Sequence, residues 1–193
     1  MRNENGNRRW RKWARRSVVL VPIALATAAW TFRTDLAGAF GVAVEPHYYL
    51  WAWRREEDLS FIDPARVRVA AWTATIFLAD GDFVVEHRAN KITYPSDAQI
   101  VAVVRLEASG VAGDDTLSRL ADAIIAANRP FRPVEHQVDF DARVSQRAFY
   151  RRLLEELRGR IGDSALSITA LASWCFHDDW VETLPVDAVV PML

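Results

Sequence analysis

From Tyr48 onward, short apolar runs alternate with amphipathic helical segments, and this alternation constrains the fold more than any other feature of the sequence. It is typical of repeated βα units, in which each strand of a parallel sheet is followed by a helix that covers it. The strand-like runs comprise residues 48–53, 67–78, 100–107, 134–141, 166–174 and 188–193. The pattern predicts an α/β domain of the (β/α)8 TIM-barrel kind over residues 46–193.

The segments between these runs have recognisable boundaries. Asp80-Gly81 predicts a hairpin that adds an antiparallel strand. A helix is predicted over about 115–128 with Asp114 or Asp115 as its cap, and a second helix is predicted to begin after Ser145 as its N-cap. Their buried faces are predicted from residues at helical spacing: Leu117, Leu120, Ala121 and Ile124 in the first helix, and Phe149, Leu153 and Leu157 in the second.

The last run, 188–193, consists of residues typical of a sheet interior, yet no helix follows it in the sequence. A closed barrel of this kind has eight strands. We therefore expect a barrel that is truncated after about six strands. The alternative is an open six-stranded sheet that is complete in itself.

Residues 1–45 form a leader that is distinct from the rest of the chain. Seven Lys or Arg residues lie in the first 16 positions against the single acid Glu4, and an uncharged run follows at 18–32. A basic segment before an apolar one is typical of a targeting signal. The leader therefore predicts a hydrophobic helix that either directs export to the periplasm or anchors the chain in the cytoplasmic membrane. Cleavage and retention both stay open.

Charge and cysteine content argue against several classes of function. The formal net charge is −1 and no basic stripe occurs outside the leader, so a nucleic-acid partner is not expected. Cys175 is the single cysteine, and the run 175–179 has no second cluster at a metal-ligand spacing, so neither a disulfide nor a metal site is predicted. Phosphate-loop and dinucleotide glycine patterns are absent from the sequence, and no cofactor is expected. The oligomeric state stays open.

The run 134–141 contains the clearest candidate site. Side chains on a strand alternate between its two faces. Its polar side chains, Glu135, Gln137, Asp139 and Asp141, share the face that would point into a barrel. Asp139 and Asp141 lie at the carboxyl end, where such barrels place catalytic groups. We therefore predict Asp139 and Asp141 as catalytic groups and Gln137 as a substrate-binding residue.

The run 100–107 repeats this arrangement, with Arg105 and Glu107 at the end of its inward face. A guanidinium among carboxylates shifts their pKa values, which is how an acid and a base are set apart in one pocket. Glu107 is predicted as a third catalytic carboxyl group of a glycosidase-like site, and Arg105 as a substrate-binding residue. The alternative is a structural ion network in which Arg105 neutralises Glu107 or Asp139.

Tryptophans near strand ends are candidates for stacking against sugar rings. Trp51 and Trp53 share one face of the first run, and Trp174 is predicted to end the fifth. Flat apolar rings with positive edges suit the faces of sugars. All three are predicted to bind a saccharide, and a role in the core is the alternative.

Four segments, WAWR at 51–54, IVAVVRLE at 100–107, QVDFDA at 137–142 and ITALASWC at 168–175, together resemble an uncharacterised bacterial family known as domain of unknown function 3142. The resemblance extends over 48–193, and residues 189–193 look like the point where family members continue into further strands. It implies a relationship to barrel-type glycoside hydrolases and brings no substrate or catalytic residue. Chitinase-like barrels carry a glutamate two residues after the last aspartate of the fourth strand, whereas this sequence has Arg143 there.

Together these features predict an exported or membrane-anchored domain, similar to glycoside hydrolases, that acts on or binds a cell-envelope saccharide. Two alternatives stay open. One is a non-catalytic envelope binding or scaffold protein with a degenerate barrel site, and the other is an inactive fragment. The sequence does not specify the substrate or the reaction.

Overall fold

A computed structural model describes residues 48–177 and 180–192, apart from the side chains of 175–177. The predicted leader at 1–45 lies outside the described residues. The strands are β1 Tyr48–Ala52, β2 Glu57–Asp58, β3 Val67–Ala79, β4 Asp82–His87, β5 Ile92–Thr93, β6 Ile100–Ala108, β7 Glu135–Asp139, β8 Ala165–Leu171 and β9 Ala188–Met192. The helices are α1 Asp114–Asn128, α2 Arg147–Arg158 and α3 Ala172–His177. None of these helices is long and apolar enough to cross a membrane.

Six strands form one curled parallel sheet in the order β1, β3, β6, β7, β8, β9. Strand β4 pairs antiparallel with the carboxyl half of β3, and β2 and β5 form a separate two-stranded sheet. Because the six strands are parallel, their carboxyl ends lie along one edge of the sheet. The mixed α/β class and the parallel sheet predicted from the alternation are confirmed.

The convex face of the sheet carries the main core. Helices α1 and α2 cover it, and the apolar residues Val104 and Leu106 of β6 belong to the same buried cluster as Leu120 of α1 and Leu153 of α2. The predicted helix faces are all buried in this cluster: Leu117, Leu120, Ala121, Ile124, Phe149, Leu153 and Leu157. This face therefore supplies most of the apolar burial that stabilises the domain.

The concave face carries a smaller apolar cluster, formed by Ala70, Val101 and Val103. A bulge in β3 determines what lies above that cluster, because the register with β6 shifts between Trp72 and Ala74. An extra residue in a strand shifts the alternation of side chains between the two faces by one position for all residues after it. The register pairs Thr75 of β3 with Arg105 of β6, so both belong to the concave face.

The predicted hairpin is confirmed between β3 and β4. Asp80 and Gly81 both have positive φ, of 53° and 78°. Two consecutive residues of positive φ match the twist of a two-residue hairpin, and glycine adopts this backbone conformation without a steric penalty.

Two expectations about strand ends are wrong. Strand β8 stops at Leu171 and the chain enters α3, so Trp174 lies on a helix and not at the end of a strand. Strand β7 stops at Asp139, so Asp141 lies in the following loop. In both cases the local pattern continues past the point where backbone pairing with the neighbouring strand ends.

The predicted helix caps are also wrong. Helix α1 has Gly113 at its N-cap position, and no side chain caps it, while Asp114 and Asp115 lie in its first turn. Acidic side chains in a first turn still stabilise the helix through its dipole. Ser145 lies in a 3-10 turn over Val144–Gln146, and α2 begins after that turn.

Candidate functional site

Asp139, a member of the predicted site, is buried and has side-chain partners on both neighbouring strands. It is the last residue of β7, it is 5% exposed, and it pairs in register with Arg105 of β6. The Thr169 hydroxyl of β8 donates a hydrogen bond to Oδ1 at 2.6 Å, and Nη1 of Arg105 lies 3.4 Å from Oδ2. A buried carboxylate is costly without such partners. Two neighbouring strands therefore hold Asp139 in one orientation.

Arg105 connects Asp139 to Glu107. Its Nε donates a hydrogen bond to Oε1 of Glu107 at 3.0 Å. Burial opposes the charge of Arg105, but the hydrogen bond to Glu107 and the charges of the nearby carboxylates raise the pKa of its guanidinium above the ordinary value. The ion network expected as an alternative role for Arg105 is thus present, and it lies at the carboxyl edge of the sheet.

Arg105, Glu107 and Asp139 line a cavity of about 120 Å³, which we call the mouth cavity. Asp141 and Arg143, both exposed, also line it. Directly after β7 the chain turns, since the amide of Ala142 donates to the carbonyl of Phe140 at 2.9 Å. This turn keeps Asp141 next to Asp139 at the cavity, although Asp141 is no longer part of the strand.

Gln146 organises the loops around the mouth cavity, and no sequence pattern singled it out. It is buried, and its Nε2 donates to the carbonyls of Ala108 and Gly110 at 2.9 and 3.1 Å. Its Oε1 accepts from the amide of Arg143 at 2.9 Å. Gln146 therefore joins the loop after β6 to the loop after β7. These contacts join segments more than 30 residues apart, so no local signal reveals them.

Thr169 is a second residue that the sequence reasoning missed, although a signal for it exists. Alternation along 166–174 places Ser167 and Thr169 on one face of the strand. Small hydroxyl residues on the inward face of a strand are natural partners for carboxylates on the next strand. Thr169 fulfils this role for Asp139.

A second polar layer lies deeper on the concave face. Glu135 accepts a hydrogen bond from the Ser167 hydroxyl and lies 3.6 Å from Nη1 of Arg68. Gln137 pairs in register with Ser167, is 2% exposed, and does not line the mouth cavity. In the described part of the chain, Oε1 of Gln137 has no hydrogen-bond partner. The predicted substrate-binding residue Gln137 is therefore separated from solvent.

Trp51 and Trp53 form an aromatic cluster with Trp72 on the concave face near β1. Trp51 is 41% exposed. Ring centroids are 6.1 Å apart both for Trp51 and Trp53 and for Trp53 and Trp72, and the guanidinium of Arg54 lies 4.8 Å from the Trp72 ring. Strands β1 and β7 are three strand spacings apart in the sheet, which corresponds to about 14 Å. Trp72 of the aromatic cluster lies on β3, and its Nε1 donates at 3.2 Å to the hydroxyl of Thr75, the register partner of Arg105. The aromatic cluster thus extends across the concave face from β1 to the strand next to Arg105.

Trp174 lies apart from this group. It is buried in the convex core and packs edge-to-face against Trp180, with ring centroids 5.1 Å apart. The structure therefore gives Trp174 the core role expected as the alternative to saccharide stacking.

Tyr150 of α2 supports β7 from the convex side. Its hydroxyl donates to the carbonyl of Val138 at 3.3 Å, and its ring packs edge-to-face against Phe140. Burial, and then the charges of Asp139 and Asp141, raise the pKa of Tyr150 well above its ordinary value. Tyr150 therefore stays a hydrogen-bond donor and anchors the end of β7.

The mouth cavity presents carboxylates and guanidinium groups, which together suit the hydroxyl groups of a neutral polar ligand. Among the residues that the structure describes, no group of three or more His, Cys, Asp or Glu side chains is placed to hold a metal ion. Carboxylates at such a site can also stabilise positive charge that develops on a bound ligand.

No family model matches this sequence, and no curated protein matches it. Among solved structures, the chain is similar to the chitinase domain of the spore coat protein CotE from Clostridium difficile, with a TM-score of 0.48 and 12% sequence identity. The similarity covers 77% of this chain and 50% of that chain, so this chain spans about half the length of that structure.

Proposed function

We propose that this domain is similar to glycoside hydrolases and binds a cell-envelope saccharide at the carboxyl edge of its sheet. The placement of Asp139 carries the proposal. Its carboxylate is buried, is held by Thr169 and Arg105, and lies at the end of a parallel strand, where (β/α) barrels place catalytic groups. A carboxylate that is fixed in this way suits a reaction that develops positive charge on a sugar ring.

We assign different roles to the carboxyl groups. Asp139 stabilises the oxocarbenium-like transition state, because two strands fix its position. Asp141 is exposed at the same cavity, donates a proton to the glycosidic oxygen as its bond to the sugar breaks, and recovers a proton from the water that adds to the sugar. Glu107 is the alternative proton donor, and Arg105 hydrogen-bonds the hydroxyl groups of the ligand.

The aromatic cluster extends the proposed binding face. Trp51 and Trp53 lie at β1, two strand spacings from β6 and three from β7, so about 10 to 14 Å separate β1 from the two strands that line the mouth cavity. Tryptophan rings suit stacking against sugars. An oligosaccharide that reaches both parts would lie across β3 and β6, and a single sugar ring would contact the mouth cavity alone.

A non-catalytic saccharide-binding protein is the second candidate, and two observations favour it. Arg143 lines the mouth cavity at the position where chitinase-like barrels have their glutamate. In addition, Glu107 and Asp139 both form ion pairs with Arg105, as they would in a purely structural ion network.

The proposal extends to fold and location. Six parallel strands in chain order are what a (β/α)8 barrel would contribute from six consecutive units, and we propose both such a barrel and membership in the family of domain of unknown function 3142. We also propose that residues 1–45 direct export or anchor the chain in the cytoplasmic membrane. The basic segment and the apolar run at 18–32 support this location.

The test uses the full chain and a panel of soluble cell-envelope oligosaccharides, including β-1,4-linked N-acetylglucosamine oligomers. Binding is measured by tryptophan fluorescence and calorimetry, and cleavage by the release of reducing ends. The variants are Asp139→Asn and Asp141→Asn, with Asp163→Asn in an exposed loop as the matched control.

We expect one glycan to be cleaved by the wild type and by Asp163→Asn, and cleavage to fall at least about 100-fold in Asp139→Asn and Asp141→Asn. Binding without cleavage in every variant would select the non-catalytic candidate instead. If the wild type neither binds nor cleaves any member of the panel, the proposed function is wrong.

A further inference from the structure

A second cleft lies at the amino end of β7, on the side of the sheet away from the mouth cavity. Its volume is about 450 Å³, within the range of small-molecule sites. It lies between the end of α1, the start of β7 and the connection from α2 to β8. We call it the amino-end cleft, and its lining residues are Ile125, Arg129, Arg132, Pro133, His136, Arg160, Ile161 and Ser164.

The lining of the amino-end cleft is positively charged. It contains three arginines, and no carboxylate occurs among the described lining residues. Arg160 is already neutralised, since it pairs with Asp122 and Glu156, both at 2.6 Å. Arg129 and Arg132 are exposed and have no ion-pair partner in the part of the chain that the structure describes. Two uncompensated guanidinium groups therefore face one cleft.

His136 adds a directed donor at the base of the cleft. It is 7% exposed, and its Nδ1 lies 3.0 Å from Nδ2 of Asn128. The single proton of the Thr73 hydroxyl is directed at Oδ1 of the same amide, 2.7 Å away, because the other acceptor, the carbonyl of Val103, lies farther away at 3.2 Å. The amide group therefore presents Nδ2 to the imidazole. Nδ1 of His136 is then the acceptor, and the proton of the neutral ring is on Nε2. Nε2 has no protein partner among the described residues, and it is free to donate to a ligand in the cleft.

We propose that the amino-end cleft binds the phosphate group of a small phosphate monoester. A monoester carries close to two negative charges at neutral pH, which match Arg129 and Arg132, and its oxygens accept from guanidinium forks and from the Nε2–H group of His136. A carboxylate or a sulfate ester has one negative charge and matches less well. Ile125, Pro133 and Ile161 provide apolar contacts for the organic part of the ligand.

The test is calorimetric titration of the full chain with phenyl phosphate. Phenyl sulfate and benzoate serve as monoanionic probes with the same ring, and phosphatidylglycerol vesicles serve as the phosphodiester surface. The binding variants are Arg129→Gln, Arg132→Gln and the double variant, whose exposed positions leave folding intact. Arg66→Gln, an exposed arginine outside the cleft, is the matched control.

We expect wild type and Arg66→Gln to bind phenyl phosphate equally, and each single cleft variant to bind it about ten-fold more weakly. Phenyl sulfate and benzoate should bind wild type at least ten-fold more weakly than phenyl phosphate. Unfolding curves that coincide with wild type assign these losses to the cleft and not to misfolding. Equal binding by the double variant, no binding by wild type, or binding to vesicles alone would overturn the proposal.

Discussion

Val104 and Leu106 on the convex face of β6 pack against α1 and α2, whereas Arg105 and Glu107, each one residue further along, lie on the concave face and bind each other. The convex face is apolar and covered by helices. The concave face combines a small apolar cluster with ion pairs, hydroxyl groups and partly exposed tryptophans. One strand thus supplies both a core surface and a polar site.

The two faces differ in the physical basis of their interactions. Apolar burial is non-directional and depends mainly on the area removed from water. The concave groups depend on partners at defined distances, such as the hydroxyl of Thr169 at 2.6 Å from Asp139. Substitutions on the convex face should therefore change the stability of the domain, and substitutions at the mouth cavity should change its chemistry more than its stability.

The largest effect is expected for Leu153→Ala on the convex face. Leu153 is fully buried between α2 and the sheet, so removing three carbons should lower the free energy of unfolding by about 3 kcal/mol. Chemical denaturation measures this loss. The matched control is Leu171→Ala, because Leu171 lies at the end of β8 and is 38% exposed. The free energy of unfolding of Leu171→Ala should fall by about 1 kcal/mol or less. Equal losses in the two variants would mean that the convex face does not contribute more to stability than the concave face.

A smaller effect is expected for Thr169→Val on the concave face. The substitution keeps the shape of the side chain and removes the donor to Asp139. The free energy of unfolding, measured by chemical denaturation, should therefore fall by about 2 kcal/mol. Thr169→Ser keeps the hydroxyl and should retain most of this stability. Thr93→Val, at an exposed position of β5, is the control and should change stability by less than about 0.5 kcal/mol. A Thr169→Val variant as stable as the control would contradict the assigned hydrogen bond.

The smallest and most gradual effect is the pH dependence from His136. Burial lowers the pKa of His136 below its ordinary value of 6.5. The unfolded chain therefore binds this proton more readily than the folded chain does, and the free energy of unfolding should fall as the pH drops below about 6.5. The free energy of unfolding of wild type and of His136→Gln is measured by denaturation between about pH 5 and 8. The difference between the two curves isolates the contribution of His136. Parallel curves for the two proteins would rule it out.

Much of the convex face could be predicted, because helical and strand periodicities are local. The recurrence of Phe149, Leu153 and Leu157 every four residues predicts the buried side of α2, and all three residues are buried in the structure. The concave face was predictable only in part. Alternation along β7 identified Asp139 as an inward residue, but the site roles of Asp139, Asp141, Glu107 and Arg105 stay predictions.

The sequence by itself determined the α/β class, the six parallel strands apart from their ends and, away from the bulge in β3, the side of each strand that a residue occupies, because these follow from a spacing of two or 3.6 residues. Only the tertiary structure decided which residues meet across strands and loops. The contact of Thr169 with Asp139 and the position of Gln146 between two loops depend on strand register and loop paths. Register is a non-local property, because it is set by pairing between segments that lie tens of residues apart.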